Sequence, residues 1–246
     1  MNHNNFILSP VSEILKDMVS ASSGIGNGIE SFPLFEYIMQ STFLKITGAQ
    51  EQKMKCIVWE LATHDYEYRY MRFTKNQLGE CSNYSEKQKI YKDIIEQIKK
   101  HGRKDFDINS IGKNKILKQT TQFVEQTFVN TNIAISSKRS FDEYIFIWKD
   151  IKDNYFATKD NLFVHTAAIN DKPEDTLLKM YEYLYSHRNR IAHNTLSYQQ
   201  NLSSLNVLIK EEYKLNNYFI YFSLLILIDN VMINLYKQYL NTIENN

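Results

Sequence analysis

Apolar residues recur every three or four positions along most of the chain, the spacing that places them on one face of an α-helix. No segment shows a sustained alternation of apolar and polar residues, which is the pattern of a half-buried strand. The pattern therefore predicts an all-α protein. Its helices are expected at residues 9–19, 31–48, 50–73, 85–100, 113–130, 141–156, 176–193 and 215–240.

Prolines and glycines set the predicted ends of several helices. Pro10 and Pro33 lie where a first helical turn is expected, and Gly48 is expected to end a helix. Residues 20–28 contain three glycines at alternate positions, but no Gly-Lys-Ser or Gly-Lys-Thr follows them. We therefore expect a flexible linker there rather than a phosphate-binding loop.

The composition supports long helices with few turns. The 246 residues include only 7 Gly and 3 Pro, which argues against a sandwich or a barrel. A net charge of +1, from 29 basic and 28 acidic side chains, excludes a protein that coats nucleic acid by bulk charge, but not a local basic groove. Cys56 and Cys81 are too few for a disulfide framework or a four-cysteine zinc site, so we expect two reduced thiols.

The apolar segments do not predict a signal peptide or a membrane span. The run at residues 6–8 is short and follows no basic stretch. The most apolar stretch, residues 218–228, is interrupted by Ser223 and ended by Asp229, whereas a span needs about 20 apolar residues. We expect a buried helix there, no membrane partner and a cytoplasmic protein. If Asp229 is buried it needs a partner, and an arginine of residues 186–194 is a candidate.

The chain is rich in aromatic residues, with 17 Tyr and 14 Phe. They fall on the helical stripes, so packing in the core is expected for them. A platform on which bases stack is the less favoured interpretation.

Residues 186–194, Ser-His-Arg-Asn-Arg-Ile-Ala-His-Asn, carry the strongest candidate chemistry. Guanidinium and imidazole groups together suit the binding and cleavage of a phosphodiester. On a helix, Asn189 and His193 would share a face, so the amide could fix the tautomer of the imidazole. Arg188 and His193 would lie about 140° apart around the axis, so two copies across a two-fold axis could surround one phosphate.

The segment 188–193, Arg-Asn-Arg-Ile-Ala-His, resembles the Arg-Asn-x-x-x-His signature of the HEPN superfamily of ribonucleases. The resemblance implies RNA cleavage without a metal or other cofactor: the 2′-hydroxyl attacks the adjacent phosphate and leaves a 2′,3′-cyclic phosphate and a 5′-hydroxyl. It also implies residue roles. His193 would be the general acid or base, Arg188 would bind the phosphate and stabilise the developing charge, and Asn189 would orient them.

The same resemblance implies an architecture: a bundle of four or five helices, dimeric about a two-fold axis, with the motif at the interface. We expect an N-terminal helix and loop over residues 1–30 and a HEPN-like domain over 31–246. Within that domain, residues 32–73 and 176–240 would form the core bundle. Residues 84–165 would be a helical insertion that adds a layer and could select the RNA.

The resemblance also implies partners. The substrate would be tRNA, mRNA or rRNA, and the biology would be that of a toxin or an antiviral defence effector with a possible antitoxin or defence-system partner. One departure concerns control by such a partner. In a toxin subgroup a tyrosine two residues after the motif histidine is modified, and here Thr195 stands in that place. Control by adenylylation of tyrosine is therefore not expected.

Further residues are candidates for binding the substrate. They are His187, Arg190, Lys99, Lys100 and Arg103. The last three belong to a basic stretch at residues 87–104 that could contact an RNA backbone, although a solvated helix face is the simpler interpretation.

A second group of residues could line the same cleft as His193 if the helix 50–73 packs beside the motif. This group is Glu51, His64, Asp65 and Arg69. Glu60 and His64 also share a helical face, but further ligands at a recognisable spacing are missing, so we predict no metal site.

Two alternatives to a ribonuclease stay open. The first is a catalytically inactive HEPN-like helical module that binds a partner protein or nucleic acid. The second is a helical regulator whose cationic cluster binds a nucleotide. Loss of RNA cleavage on replacement of His193 by alanine would separate the enzyme from both.

Overall fold

The computed structural model describes residues 2–26, 28–102, 104–169, 172, 175–193 and 215–244, with residues 29 and 193 described by their backbone alone. Within these ranges the fold is helical, and extended pairing is limited to two isolated bridges. The helices are α1 (His3–Leu8), α2 (Ser12–Ser22), α3 (Phe32–His64), α4 (Tyr66–Tyr70), α5 (Tyr84–Lys100), α6 (Lys113–Phe128), α7 (Asn132–Ser136), α8 (Lys138–Trp148), α9 (Leu177–His193) and α10 (Tyr218–Glu244). The predicted all-α class is confirmed.

Helix α10 lies at the centre of the bundle. It packs against α1, α3, α5, α6, α8 and α9, and almost every residue between Phe219 and Tyr239 is buried. By length and composition alone it is the one described helix that could cross a membrane, yet 83% of its apolar window is buried inside the protein. Its apolar character is therefore accounted for by the core that surrounds it.

The segment expected as an added layer belongs to this same core. Helices α5 and α6 pack directly on α10, and their buried residues Ile94, Ile98, Val124 and Phe128 join one continuous apolar cluster. The division of the chain into a core bundle and an insertion at residues 84–165 stays a prediction.

Helix α3 is longer than either helix predicted in its place. It runs without interruption from Phe32 to His64, and Gly48 does not end it. Apolar residues lie buried on both sides of Gly48, including Phe43 and Met54, so tertiary packing outweighs the cost of about 1 kcal/mol for a glycine inside a helix.

Gly48→Ala is expected to raise the free energy of unfolding by about 0.5–1 kcal/mol, because alanine favours the helix. Apart from the adjoining residues and the backbone of the same helix, a Cβ atom there meets nothing within 4 Å. Gly112→Ala is the matched control, since Gly112 has a φ of +75° and alanine is strained in that region. The control should lose about 1 kcal/mol or more. Urea denaturation followed by circular dichroism measures both, and equal effects would contradict the argument.

The N-terminal region also differs from the prediction. Two helices, α1 and α2, replace the single helix expected at residues 9–19, and Pro10 lies between them. Helix α2 continues to Ser22, so the region expected as a linker begins later. The helix expected at 141–156 ends at Trp148.

A buried ion pair ties this N-terminal region to the centre of the bundle. Lys53 Nζ lies 2.5 Å from Asp229 Oδ1, and both side chains are 1% exposed. Lys53 also donates to the carbonyl of Ser9 at 2.7 Å, and the backbone N–H of Val11 donates to Asp229 at 2.9 Å. Asp229 therefore pairs with a lysine of α3, and the expected pairing with an arginine of residues 186–194 was wrong.

Candidate functional site

Near the end of α9, two acceptors among the described residues hold Arg188 in place. Its Nη2 atom lies 3.1 Å from the carboxylate oxygens of Glu51 on α3, and its Nη1 atom donates to Asn189 Oδ1 at 3.2 Å. The side chains of Arg188 and Glu51 are 20% and 12% exposed. The guanidinium is thus partly open to solvent, and a carboxylate supports it from the side of the core.

A small cavity lies next to this ion pair. Its lining includes Glu51, Ser82, Lys87, Tyr181 and Arg188, and it has room for about one water molecule. The Tyr181 hydroxyl donates to the carbonyl of Ser82 at 2.8 Å. The arginine therefore borders a small cavity that several polar side chains help to line.

Lys87 is the second cation of this cavity. It extends from the first turn of α5 and donates to the carbonyl of Cys81 at 2.8 Å. Burial lowers the pKa of Lys87 to about 8, although the nearby Glu51 carboxylate opposes the shift. Glu51 therefore interacts with two cationic groups, the Arg188 guanidinium and the Lys87 ammonium.

His187 is part of the packing between α9 and α10. Its Nε2 atom lies 2.9 Å from the Tyr218 hydroxyl, and its Nδ1 atom lies 2.6 Å from Arg190 Nη2. Its ring also packs on the rings of Phe43 and Tyr221. Burial, together with the nearby Arg190 charge, lowers the pKa of His187 to about 3, so the ring is neutral near neutral pH.

This environment changes the role expected for His187. The neutral ring accepts from Arg190 at Nδ1, which leaves the Nε2 hydrogen to face Tyr218. Both ring nitrogens are therefore engaged within the protein. The expected contact of His187 with substrate is not supported, and Arg190 is the exposed neighbour that remains beside the motif.

Asn189 and His193 lie one helical turn apart, because α9 is continuous to His193. Asn189 accepts a hydrogen bond from Arg188, a contact that the sequence did not predict. The side chain of His193 lies outside the described residues, and Thr195 lies outside them as well. The predicted hydrogen bond between Asn189 and His193 stays a prediction.

The basic residues at the end of α5 are not brought to the motif. Lys100 is thirteen residues from Lys87, which corresponds to about 20 Å along the helix axis. Its Nζ atom donates to Asp65 and Glu67, each at 2.7 Å. Lys99 adjoins it at the same end of α5, and Arg103 lies outside the described residues.

Among the four residues proposed to line the cleft, Glu51 contacts the motif. Asp65 lies at the far end of α3, where it accepts from the Tyr68 N–H, Gln97 and Lys100. Burial alone would raise its pKa, but these hydrogen bonds outweigh burial and lower it to about 2. His64 packs edge-on against the Tyr239 ring, again at the far end. Arg69 is exposed near the same end.

Sequence reasoning missed Lys87 and Gln50 as neighbours of the motif. Gln50 donates to the carbonyl of Leu225 at 2.8 Å, and its Oε1 atom, which is buried, has no hydrogen-bond partner among the described residues. A signal for both was present. Gln50 lies one helical turn from Ile46 and Met54, and Lys87 one turn before Ile90 and Tyr91. A polar residue on a stripe that carries apolar residues needs a polar partner inside the fold.

No family model matches the chain, and no curated protein or solved structure matches it significantly. Function is therefore argued from the site itself. Within the described residues, no group of three or more His, Cys, Asp and Glu side chains is placed to hold a metal ion.

Proposed function

We propose that this chain is a HEPN-type endoribonuclease that cleaves RNA without a metal ion and acts as a homodimer. The observation that carries the proposal is the setting of Arg188. Its guanidinium is positioned by Glu51 and Asn189 and partly open to solvent, five residues before His193 on the same helix. A fixed guanidinium placed where charge develops on a phosphate is a strong electrostatic catalyst.

In the proposed reaction, Arg188 binds a non-bridging oxygen of the scissile phosphate through the N–H groups of its guanidinium. A base removes the proton of the 2′-hydroxyl, and the 2′-oxygen forms a bond to phosphorus. The bond between phosphorus and the 5′-oxygen breaks, and an acid delivers a proton to that oxygen. The products are a 2′,3′-cyclic phosphate and a 5′-hydroxyl, and no oxidant or reductant is consumed.

The chemistry of the histidines supports a dimer. His187 is neutral and engaged at both nitrogens, so His193 is the motif imidazole left to exchange protons. The reaction needs a base and an acid at the same time. Two motifs brought together by a two-fold axis would supply two imidazoles.

The proposed biological setting follows the chemistry. The substrate would be tRNA, mRNA or rRNA in the cytoplasm. The protein would act as a toxin or an antiviral defence effector, with an antitoxin or a defence-system partner as a possible control. These steps rest on the resemblance of residues 188–193 to the HEPN signature.

The proposal is tested by incubating the protein with total cellular RNA and with isolated tRNA in EDTA. We expect fragments that end in a 2′,3′-cyclic phosphate and begin with a 5′-hydroxyl. His193→Ala, purified in parallel, should be slower by about 10²–10⁴-fold, the usual contribution of a general acid or base. It also controls for contaminating ribonucleases.

Two results would contradict the proposal. One is fragments that carry 5′-phosphates, because these require attack by water rather than by the 2′-hydroxyl. The other is equal cleavage by the wild type and His193→Ala.

A second candidate, an inactive module that binds nucleic acid or a partner protein, is favoured by one observation. The Glu51 carboxylate already binds the Nη2 atom of Arg188. A carboxylate there competes with a phosphate for the same guanidinium. If a folded, dimeric wild type binds RNA but cleaves none, and Arg188→Ala weakens the binding, the binding module is the better assignment.

A further inference from the structure

Four large aromatic side chains are exposed on one part of the surface, where α3 ends and the next two turns follow. We call these residues the aromatic patch. They are Trp59, 49% exposed, Tyr66, 81% exposed, Tyr70, 49% exposed, and Phe73, 44% exposed. Helical spacing predicted core positions for such residues, so their exposure needs a separate explanation.

The patch is built on a rigid frame. Asp65 breaks α3 with an extended backbone and caps α4, and a π-helical turn at Met71–Lys75 follows. Arg72, within that turn, donates from Nε and Nη2 to Asp93 on α5 at 2.7 and 2.5 Å. The Tyr68 hydroxyl donates to the same carboxylate at 2.8 Å. This buried network fixes the segment against the bundle while the aromatic rings face outwards.

The rings of the patch are arranged for stacking. The Trp59 and Phe73 rings meet edge to face, with centroids 6.0 Å apart and planes at 88°. Both side chains keep exposed ring surface on which a base could stack. π-Helical turns are rare and occur frequently at functional sites, and here the turn places Phe73 beside Trp59.

Cationic side chains interleave with the aromatic rings. Arg69 is exposed between Tyr66 and Tyr70 in sequence, and Lys75 Nζ lies 5.4 Å from the centroid of the Tyr70 ring. Lys89 and Lys92 are exposed on α5, close to the position of Asp93 on the same helix. The one nearby carboxylate on α4, that of Glu67, is paired with Lys100.

Exposed rings together with cations favour single-stranded nucleic acid over an apolar protein surface. Unpaired bases stack on aromatic rings, and lysine and arginine contact the phosphates between them. An apolar partner would leave the interleaved charges desolvated without a counter-charge.

Helix α3 connects the patch to the Arg188 site. Glu51, Lys55 and Trp59 are spaced four residues apart, so they follow one ridge of the helix over about 12 Å. Lys55 pairs with Glu80 at the surface, and such an exposed pair is weak enough to exchange for a phosphate.

We propose that the aromatic patch binds the unpaired bases of a single-stranded RNA whose scissile phosphate lies at Arg188. The patch selects single strands over duplexes, because paired bases cannot reach the rings. The identity of the ligand as RNA rests on the proposed ribonuclease function, whereas the binding of single strands rests on the patch.

The fluorescence of Trp59 provides the test. The chain contains two tryptophans, and Trp148 is 2% exposed, so quenching by a stacked base reports on Trp59. The probe is a short oligothymidylate, which lacks the 2′-hydroxyl and cannot be cleaved by the proposed reaction. We expect saturable quenching by the single strand and little by the same sequence in a duplex.

Variants locate the site. Tyr70→Ala and Phe73→Ala should each weaken oligothymidylate binding about tenfold, the scale of one lost base–aromatic stack. Phe146→Ala is the matched control. Phe146 is 51% exposed, and Lys149 lies over its ring at 4.4 Å, but it belongs to α8. It should bind like the wild type, with all variants compared at equal salt.

Three results would overturn the inference: no quenching, equal quenching by the duplex, or a dimer that dissociates in Trp59→Ala, which would identify a second copy as the occupant. The test of the patch can be distinguished from the test of the proposed ribonuclease activity. Quenching without RNA cleavage would support the patch and reject the ribonuclease, and cleavage without quenching would do the opposite.

Discussion

Arg188→Ala is expected to lower the rate of RNA cleavage by about a thousandfold or more. A guanidinium that binds a phosphate in the transition state contributes on the order of 10³–10⁵ in other phosphoryl-transfer enzymes. Glu51 and Asn189 position the Arg188 side chain before substrate binds, so its ordering adds little to the cost of the reaction. The rate is measured at saturating RNA, with the fold checked by circular dichroism.

A conservative variant separates the effect of Arg188 on the cleavage rate from its effect on folding stability. Arg188→Ala leaves the Glu51 carboxylate without its closest cation, so this variant could lose stability as well as activity. Arg188→Lys keeps a cation beside Glu51 but loses the planar fork that binds two oxygens. It should melt near the wild-type temperature and still be slower by about 10²-fold.

Arg139→Ala is the matched control for an exposed arginine outside the motif. Arg139 pairs with Glu143 within α8, so its loss should leave the rate close to that of the wild type. A fully active Arg188→Lys enzyme, or an equal loss in Arg139→Ala, would show that Arg188 does not bind the scissile phosphate.

The sequence was sufficient to predict the fold class, because helical periodicity is a local property of the chain. It was insufficient for the length of α3. Gly48 is a strong local signal for a helix end. The free-energy cost of one glycine is nevertheless smaller than the gain from burying Phe43 and Met54 on one continuous helix. That gain depends on α10, which is distant in sequence.

For the motif, too, the sequence predicted some features and not others. The spacing of Arg188, Asn189 and His193 could be read directly, since one helix carries them. The sequence did not predict which of His187 and His193 can exchange protons near neutral pH. His187 lies within an aromatic cluster that includes Phe43 and Tyr221, so its low pKa arises from helices α3 and α10 rather than from its neighbours in sequence.

The aromatic patch escaped prediction for a geometric reason. A helical stripe continues onto the same face only while the helix is regular. Asp65 ends α3, and the π-helical turn at Met71–Lys75 changes the number of residues per turn. Tyr70 and Phe73 are thereby turned away from the core that the spacing had predicted for them.

The largest stability effect is expected at the buried pair of Lys53 and Asp229. Lys53→Met should lower the free energy of unfolding by about 3–5 kcal/mol, the cost of leaving a buried charge without its partner. Burial raises the pKa of Asp229 even in the presence of Lys53, so without the lysine the carboxyl should be more difficult to ionise. Urea denaturation measures the loss.

The pH dependence of the variant follows from that raised pKa. A carboxyl whose pKa is higher in the folded than in the unfolded state favours folding below about pH 4, and this contribution is lost as the pH rises through the folded value. The difference in the free energy of unfolding between the wild type and Lys53→Met should therefore grow from pH 4 towards neutral pH. A deficit independent of pH would contradict the assignment of Asp229 as the unpaired charge.

Two further variants separate the charge from the packing. Lys53→Met combined with Asp229→Leu should recover most of the loss, since apolar pairs of similar volume often replace buried ion pairs at little cost. Lys16→Met removes an exposed pair with Glu13, where both side chains are more than half exposed, and should change stability by less than about 1 kcal/mol. If Lys53→Met costs no more than Lys16→Met, the buried pair does not anchor the bundle.

A structural readout distinguishes loss of the anchor from a general loss of stability. Lys53 and Asp229 also bind the backbone of Ser9 and Val11, at the junction of α1 and α2. Amide hydrogen exchange in Lys53→Met should therefore increase first at that junction, before it increases in the middle of α10. If exchange increases equally at the junction and in α10, the free energy of opening the junction equals that of global unfolding. The pair would then stabilise the whole bundle rather than the junction in particular.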